Sequence, residues 1–114
     1  MRLEPSRGEI WFVDLNPTRG HEQSGIRPCL IVSVNPFNRG PAGLVIALPI
    51  SSKEKGIPLH VPITPPEGGL KKRSFVKCED MRSISKDRLV KCTGSVSSKT
   101  LSAIQDRLQI LLGL

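Results

Sequence analysis

The sequence predicts a mainly β fold of the α+β kind: a small, strongly twisted antiparallel sheet that curls toward a barrel and carries a C-terminal amphipathic helix. Short apolar runs alternate with turns, and the ten Gly and ten Pro fall largely between those runs. Several short strands in a chain of 114 residues tend to curl toward a barrel. The last apolar run changes to a helical period.

The predicted strands combine apolar and β-branched residues and end at turn-forming residues. They cover residues 8–15, 28–34, 44–50, 59–63, 74–78, 81–84 and 89–96. Residues 28–34 are apolar except for Ser33, which indicates a buried central strand. Pro58 and Pro62 favour an edge position for residues 59–63, because proline cannot donate to a sheet ladder. Loops are predicted at residues 16–20, 35–43 and 67–73.

The C-terminal helix is predicted from a stripe of apolar residues with the spacing i, i+3, i+7, i+10 and i+11: Leu101, Ile104, Leu108, Leu111 and Leu112. Either Ser97 or Ser98 can serve as its N-cap, and Gly113 stands where a helix would end. The stripe can cover an open end of the barrel or pack against a second copy. A homodimer would add core that so small a chain lacks.

Length and charge predict a single domain over residues 1–114 with a polyanionic partner. The 17 Lys and Arg exceed the 10 Asp and Glu, which gives a net charge of +7. Residues 71–91 hold eight basic and three acidic side chains, so the excess is concentrated there. Such an excess is typical of nucleic-acid binding, although it also serves solubility.

The cysteines and the apolar runs predict a cytoplasmic protein. Cys29, Cys78 and Cys92 are odd in number and form no CxxC pair, which argues against a disulfide framework and against a zinc site. Free buried thiols suit a reducing compartment. The N-terminus has no apolar signal-peptide region, and no stretch is long enough to span a membrane.

The residues that carry chemistry lie in two short segments. His21, Glu22 and Arg27 fall within seven residues before an apolar run, and Ser51 and Ser52 close the next run. RNA supplies its own nucleophile, the 2′-OH, so cleavage needs a base, an acid and donors to the phosphate, and no metal or cofactor.

A planar, permanently charged guanidinium such as that of Arg27 matches phosphate oxygens, and the hydroxyl of Ser51 or Ser52 can donate to them. His21 and Glu22 both qualify as the base. Adjacent residues of an extended chain point to opposite faces, so only one of them should share a site with Arg27. Taken singly, each of these residues also fits an ordinary role in a turn or at the surface.

Several motifs, in order, resemble the MazF/PemK family of toxin endoribonucleases from bacterial toxin–antitoxin modules. They are residues 8–11 (GEIW), 15–20 (LNPTRG), 22–28 (EQSGIRP) leading into 29–32 (CLIV), 48–52 (LPISS), 55–58 (KGIP) and 74–84 (SFVKCEDMRSI). Each motif alone is weak, but their order and spacing cover nearly the whole chain.

The resemblance implies an SH3-like barrel of the CcdB/PemK kind that forms a homodimer. It implies a metal-independent, sequence-specific endoribonuclease for single-stranded RNA (an mRNA interferase), inhibited by a cognate MazE-like antitoxin with an acidic tail. The family's catalytic arginine falls on Arg27, its acidic residue on Glu22, and its hydroxyl, usually that of a threonine, on Ser51. Further RNA-binding residues are expected at Asn16, Thr18, Arg19, Gln23, Lys53, Lys55, Lys72 and Arg82.

Two other functions compete with this prediction. A toxin of the related CcdB type would poison DNA gyrase with the same barrel, but those proteins depend on an aromatic C-terminal tip, and this chain ends in LLGL. A non-catalytic SH3-like adaptor would bind proline-rich peptides on exposed aromatic rings. The chain has one Trp, three Phe and no Tyr, which favours neither.

Overall fold

The computed structural model describes residues 4–16 and 25–114. In these residues the strands are β1 (Glu9–Asp14), β2 (Ile26–Ile31), β3 (Leu44–Ser51), β4 (His60–Ile63), β5 (Ser74–Lys77), β6 (Arg82–Ser85) and β7 (Leu89–Ser95). The helices are α1 (Asn35–Asn38) and α2 (Ser98–Leu112), and 3₁₀ turns occupy Glu67–Gly69, Cys78–Asp80 and Lys86–Arg88. The mainly β prediction with a C-terminal helix is confirmed.

Strand β3 is the centre of the sheet. All pairings are antiparallel, and the strand order is β4-β5-β3-β2-β1-β7, with β6 also paired to β3. One edge of β3 pairs with β2, while the other pairs with β6 near the start of β3 and with β5 near its end. This double pairing links the N-terminal and C-terminal strands through one element.

The antiparallel, mainly β architecture is as predicted, and among the described residues the sheet is not closed. Among the described residues, β4 and β7 form the two ends of the strand order and do not pair with each other. Pro62 removes one ladder donor from the four-residue strand β4. In place of a strand pairing, the turn Glu67–Gly69 packs its backbone against Thr93 and Gly94 of β7. A turn contact, and not a strand pairing, therefore joins this part of the chain to β7.

The alternation of strand side chains separates two apolar clusters, one on each face. Ile10 and Leu30 belong to the first cluster, whereas their neighbours Trp11 and Cys29 belong to the second. Helix α2 covers the first cluster, into which it inserts the buried Ile104. The helix thus packs on the sheet, as its apolar stripe predicts.

Helix α2 begins and ends at residues that the sequence singles out. Of the two serines proposed as N-cap, Ser97 fills the role, because its Oγ accepts a hydrogen bond of 3.2 Å from the Thr100 amide. At the other end Gly113 adopts a left-handed conformation with φ +70°, and the Leu114 amide donates to the Gln109 carbonyl over 2.9 Å. Neither helix in residues 4–16 and 25–114 has the length and apolarity needed to cross a bilayer.

Candidate functional site

A groove of about 790 Å³ opens where β2 and β3 leave the core. One side is formed by the end of β2, the end of β3 and the loop that follows it. The other side is formed by the segment after the Glu67–Gly69 turn and by β7. Its described lining is Phe12, Arg27, Pro28, Ile50, Ser51, Ser52, Lys53, Lys55, Gly69, Leu70, Lys71, Lys72, Ser74, Lys77, Lys91, Cys92 and Thr93.

The groove is strongly positive. Its described lining contains no Asp or Glu and seven basic side chains: Arg27, Lys53, Lys55, Lys71, Lys72, Lys77 and Lys91. One of these, Lys77, lies 3.5 Å from the Asp80 carboxylate, which offsets part of its charge. A concave surface lined by one sign of charge focuses its potential and attracts a polyanion. The arrangement therefore suits a chain of phosphates.

Arg27 lies on β2 at the point where that strand emerges from the core. It pairs with Val13 of β1 and is exposed, whereas Cys29, two residues further on, is fully buried. In the β2–β3 ladder Cys29 stands opposite Pro49. Continued by two residues, the same register sets Arg27 opposite Ser51, on the same side of the sheet.

Ser51 is the last residue of β3 and pairs with Phe75 of β5. Its Oγ accepts a hydrogen bond of 3.1 Å from the Lys53 amide. Because the hydroxyl acts as an acceptor there, its own hydrogen can still be donated to a bound anion. The neighbouring Ser52 is exposed and also lines the groove.

In the loop after β3 the two lysines line the groove, whereas the carboxylate of Glu54 does not. Lys53 and Lys55 are exposed and line the groove, while Glu54 between them lies 3.4 Å from the Arg73 guanidinium. Arg73 also stacks over the Phe75 ring, 5.0 Å from its centroid. This pairing separates the one acidic side chain of the loop from the positive surface.

The floor of the groove is apolar and includes an aromatic ring that the sequence prediction missed. Phe12 is half-buried and pairs with Pro28 on one side and Lys91 on the other. Ile50 and Leu70 complete the floor. The position of Phe12 in an alternating strand indicates which side of β1 it occupies, but only the pairing with β7 places the ring in a groove.

The sequence prediction also missed most of the second side of the groove, which is formed by the segment after the Glu67–Gly69 turn and by β7. Of the lysines there, only Lys72 was predicted to contact the ligand. Lys71, Lys77 and Lys91 line the groove as well. The charge excess of residues 71–91 was the available signal for them, but it does not show which of those side chains share a surface.

Two of the predicted RNA-binding residues lie outside this groove. Arg82 lines a smaller pocket together with Arg88. Asn16 stabilises the chain near the groove: its Oδ1 accepts a hydrogen bond of 3.0 Å from the Gly25 amide, and the Leu15 amide donates to the Gly25 carbonyl over 2.9 Å. Arg88 donates to the carbonyl of Asp14 over 3.1 Å and to that of Asn16.

The remaining predicted site residues fall outside the described residues. They are Thr18, Arg19, His21, Glu22 and Gln23. The hydrogen bonds between Leu15, Asn16 and Gly25 hold the two described ends of that segment together, two residues before Arg27.

The cysteines are free thiols in the described structure. Burial raises the pKa of Cys29 to about 12 and that of Cys78 to about 11. Cys92 is half-buried on the groove, and burial raises its pKa too. Thiols with raised pKa values carry little thiolate at neutral pH, so a nucleophilic role is not supported. Among residues 4–16 and 25–114, no three His, Cys, Asp or Glu side chains are grouped to hold a metal ion.

Comparison with known proteins places this chain in one family. A family model described as "PemK-like, MazF-like toxin of type II toxin-antitoxin system" matches residues 6–112. The endoribonuclease EndoA of Bacillus subtilis is 32% identical over 109 residues, which are 95% of this chain and 94% of that protein.

Solved structures agree with the sequence comparison. The crystal structure of MazF from Deinococcus radiodurans is 29% identical and has a TM-score of 0.86, with 99% of this chain and 100% of that chain covered. A MazE–MazF crystal structure from the same organism is 29% identical with a TM-score of 0.83 and covers 99% of each chain. The chain belongs to the PemK-like, MazF-like toxin family of type II toxin–antitoxin systems.

Proposed function

We propose that this chain is a toxin that cleaves single-stranded RNA as a metal-independent, sequence-specific endoribonuclease. One observation carries the proposal: Arg27 and Ser51, near the ends of adjacent strands, line the same groove, whose described lining has seven cations and no carboxylate. The curated relative EndoA, which bears the name endoribonuclease, supports it.

The proposed reaction uses the 2′-OH of the RNA as nucleophile. Its oxygen attacks the adjacent phosphorus, and the bond to the 5′-oxygen of the next nucleotide breaks. The products are a 2′,3′-cyclic phosphate, or a 3′-phosphate after hydrolysis, and a 5′-OH. Arg27 stabilises the charge that develops on the pentacoordinate phosphorus, because its planar fork can donate two hydrogen bonds to phosphate oxygens.

Ser51 supplies a neutral donor to the same phosphate. Its hydroxyl accepts from the Lys53 amide, which fixes the oxygen while leaving the hydrogen to donate. Lys53, Lys55 and Lys72 bind neighbouring phosphates as point charges. The base that removes the 2′-OH proton is Glu22 or His21, and only one of the two is expected to share the site with Arg27.

Cleavage of one long RNA in excess EDTA tests this proposal. We expect full cleavage in EDTA by the wild-type protein and a loss of at least about a hundredfold in kcat for Arg27→Ala, the range seen when one transition-state donor is removed. Arg39→Ala is the matched control, because Arg39 is an exposed arginine outside the groove. Loss of activity in EDTA, or full activity of Arg27→Ala, contradicts the proposal.

Mapping both ends of the fragments tests the chemistry and the specificity. A cyclic or 3′-phosphate and a 5′-OH are expected at every cut. Cuts at one short sequence support specific recognition, while cuts spread over all sequences contradict it.

The proposed protein partner is a cognate MazE-like antitoxin with an acidic tail, supported by the MazE–MazF complex of the related structure. An acidic segment would occupy the same positive groove as RNA and exclude it. An acidic peptide from the antitoxin should therefore compete with RNA for binding, and Lys53→Ala should weaken both. Simultaneous binding of RNA and peptide would contradict the shared site.

We also propose a homodimer. Ile110 and Leu112 at the end of α2 and Leu114 just beyond it are exposed, which leaves apolar surface for a second copy. Light scattering during size-exclusion chromatography should give twice the monomer mass. A monomer at micromolar concentration would contradict this expectation.

A further inference from the structure

The segment of residues 67–73 contributes to the lining of the groove that also contains Arg27 and Ser51. Gly69, Leu70, Lys71 and Lys72 of this segment line the groove. Apart from the 3₁₀ turn at its start, it has no regular structure of its own. The position of its two adjacent lysines therefore depends on what holds the segment at each end.

Thr93 of β7 holds the N-terminal end of this segment. Its Oγ1 lies 2.7 Å from the Gly68 carbonyl oxygen and 3.3 Å from the Ile10 carbonyl oxygen. A hydroxyl has one hydrogen, and here it is shared between two carbonyl groups. Although Thr93 lines the groove, this hydrogen is already used within the protein, so the residue is poorly suited to donate to a phosphate.

Glycines let the backbones approach closely at the same place. Gly68 and Gly69 have φ of +67° and +73°. A Cβ added to Gly69 would lie 2.1 Å from the Thr93 carbonyl oxygen, and one added to Gly94 would lie 2.8 Å from the Gly68 carbonyl carbon. The turn and β7 therefore fit in one arrangement, which the Thr93 hydroxyl fixes.

Further contacts hold the start of the turn and the far end of the segment. The Oε2 of Glu67 accepts a hydrogen bond of 2.9 Å from the Ser97 amide, at the N-terminus of α2. At the far end, the buried Ser74 donates from Oγ to the Lys72 carbonyl over 2.9 Å. Both ends of the Lys71–Lys72 pair are thus fixed by hydroxyl-to-carbonyl hydrogen bonds.

We propose that Thr93 and Ser74 are positioning residues that hold Lys71 and Lys72 as a preorganised site for phosphates of single-stranded RNA beyond the cleaved bond. The inference rests on the proposed function. A flexible loop would have to be ordered on binding, at a cost in free energy, whereas a segment fixed in advance avoids that cost. The lysines supply the attraction, and the two hydroxyl groups supply the geometry.

Thr93→Val tests the N-terminal end, since valine keeps the shape and removes the hydroxyl. The measured quantity is the Kd of an RNA oligonucleotide made uncleavable by 2′-deoxy substitution, between 50 and 300 mM salt. Loss of one hydrogen bond should raise Kd about fivefold. Thr93→Ser should restore the wild-type value, and Ser74→Ala should reproduce the loss from the far end.

The double variant Lys71→Ala/Lys72→Ala identifies the groups through which Thr93 acts. Loss of two phosphate contacts should lower the slope of log K against log salt by about 1.4 for a single strand. In that background Thr93→Val should have no further effect on Kd. In cleavage assays Thr93→Val should raise KM and leave kcat unchanged.

Two results overturn the inference. One is an equal effect of Thr93→Val with and without the two lysines. The other is a loss of melting temperature in Thr93→Val with unchanged Kd, which would indicate a structural role only. The proposed function fails by a different result, which is that the wild-type protein leaves RNA uncut. The present inference is tested by Kd and by its salt dependence, and both are measured without cleavage.

Discussion

Oε2 of Glu79 lies 2.7 Å from Nε2 of His60, whose side chain is only 3% exposed. The contact joins the start of β4 to the 3₁₀ turn that follows β5. The other ring nitrogen of His60, Nδ1, is buried without a hydrogen-bond partner among the described residues. The imidazole is therefore held from one side, through the carboxylate of Glu79.

This contact predicts acid sensitivity. Burial opposes ionisation of Glu79, but the hydrogen bond with the His60 ring and a backbone hydrogen bond outweigh it, so the pKa of Glu79 lies below its ordinary value. A lowered folded-state pKa contributes stability above the unfolded-state pKa of 4.5 and loses it as pH falls through the lower, folded-state pKa. Urea unfolding between pH 7 and pH 3 should show this decline. Glu79→Gln should flatten it, and an identical decline in the variant contradicts the assignment.

Gly69→Ala should destabilise the protein strongly. The new Cβ would lie 2.1 Å from a backbone oxygen, and the residue has a positive φ. The positive φ costs about 1–2 kcal/mol, and the overlap adds about 1–3 kcal/mol. Gly43→Ala is the matched control, because Gly43 has φ +69° and open space where its Cβ would be. Urea denaturation should show a larger loss at position 69 than at position 43, and equal losses would contradict the close contact.

Ser97→Ala should cost about 1 kcal/mol of unfolding free energy, because it removes the side chain that caps α2. Ser98→Ala, one residue further on, should be nearly neutral, since Ser98 is an exposed residue of the first turn. Thermal unfolding of both variants measures the difference. A larger loss of unfolding free energy for Ser98→Ala than for Ser97→Ala would contradict the assignment of the N-cap to Ser97.

The two adjacent serines of the groove should differ in catalysis. Ser51→Ala should lower kcat by about a hundredfold, the effect of removing one donor to the transition state, while Ser51→Thr keeps the hydroxyl and should keep most activity. Ser52→Ala should alter kcat little, since Ser51 is the residue that the β2–β3 register sets opposite Arg27. Single-turnover cleavage rates decide between them, and the reverse order would assign the contact to Ser52.

Thiol labelling should follow burial. Cys29 and Cys78 are buried and have pKa values of about 12 and about 11, so they should react with a disulfide reagent only after unfolding. Cys92, half-buried on the groove, should react first and more slowly than a free thiol. Mass spectrometry of the native protein after labelling identifies the site. Modification of Cys29 before Cys92 would contradict the described packing.

Much of the sheet can be predicted from the sequence, because the apolar pattern of each of these strands agrees with its position in the folded sheet. Residues 44–50 are continuously apolar, and β3 is buried because its alternating side chains enter both apolar clusters. The edge position of β4 is confirmed, since among the described strands it pairs only with β5. Helix α2 is capped by Ser97 and Gly113, where a side-chain oxygen and a positive φ act locally.

The errors arise where distant residues decide the structure. An apolar run predicts a strand over residues 28–34, but β2 is Ile26–Ile31, because Ile26 pairs with Asp14. Beyond the strand, Val32 and Ser33 both donate to the Ile46 carbonyl. Arg27 could be singled out from its own chemistry and neighbours. The second side of the groove could not be predicted, because what distinguishes Gly68 and Gly69 from ordinary loop glycines is their close approach to Ile10 and Thr93, which are distant in the sequence.

The pairing of β1 with β7 also has a consequence for biosynthesis. Phe12 pairs with Lys91, which is made only when translation of the chain is nearly complete. Until then the groove lacks the residues that β7 contributes, Lys91, Cys92 and Thr93, so an unfinished toxin should leave RNA in its own cell intact. A chain that stops before Leu89 should bind no RNA through this surface, and tight binding by such a fragment would show that the late strand is dispensable.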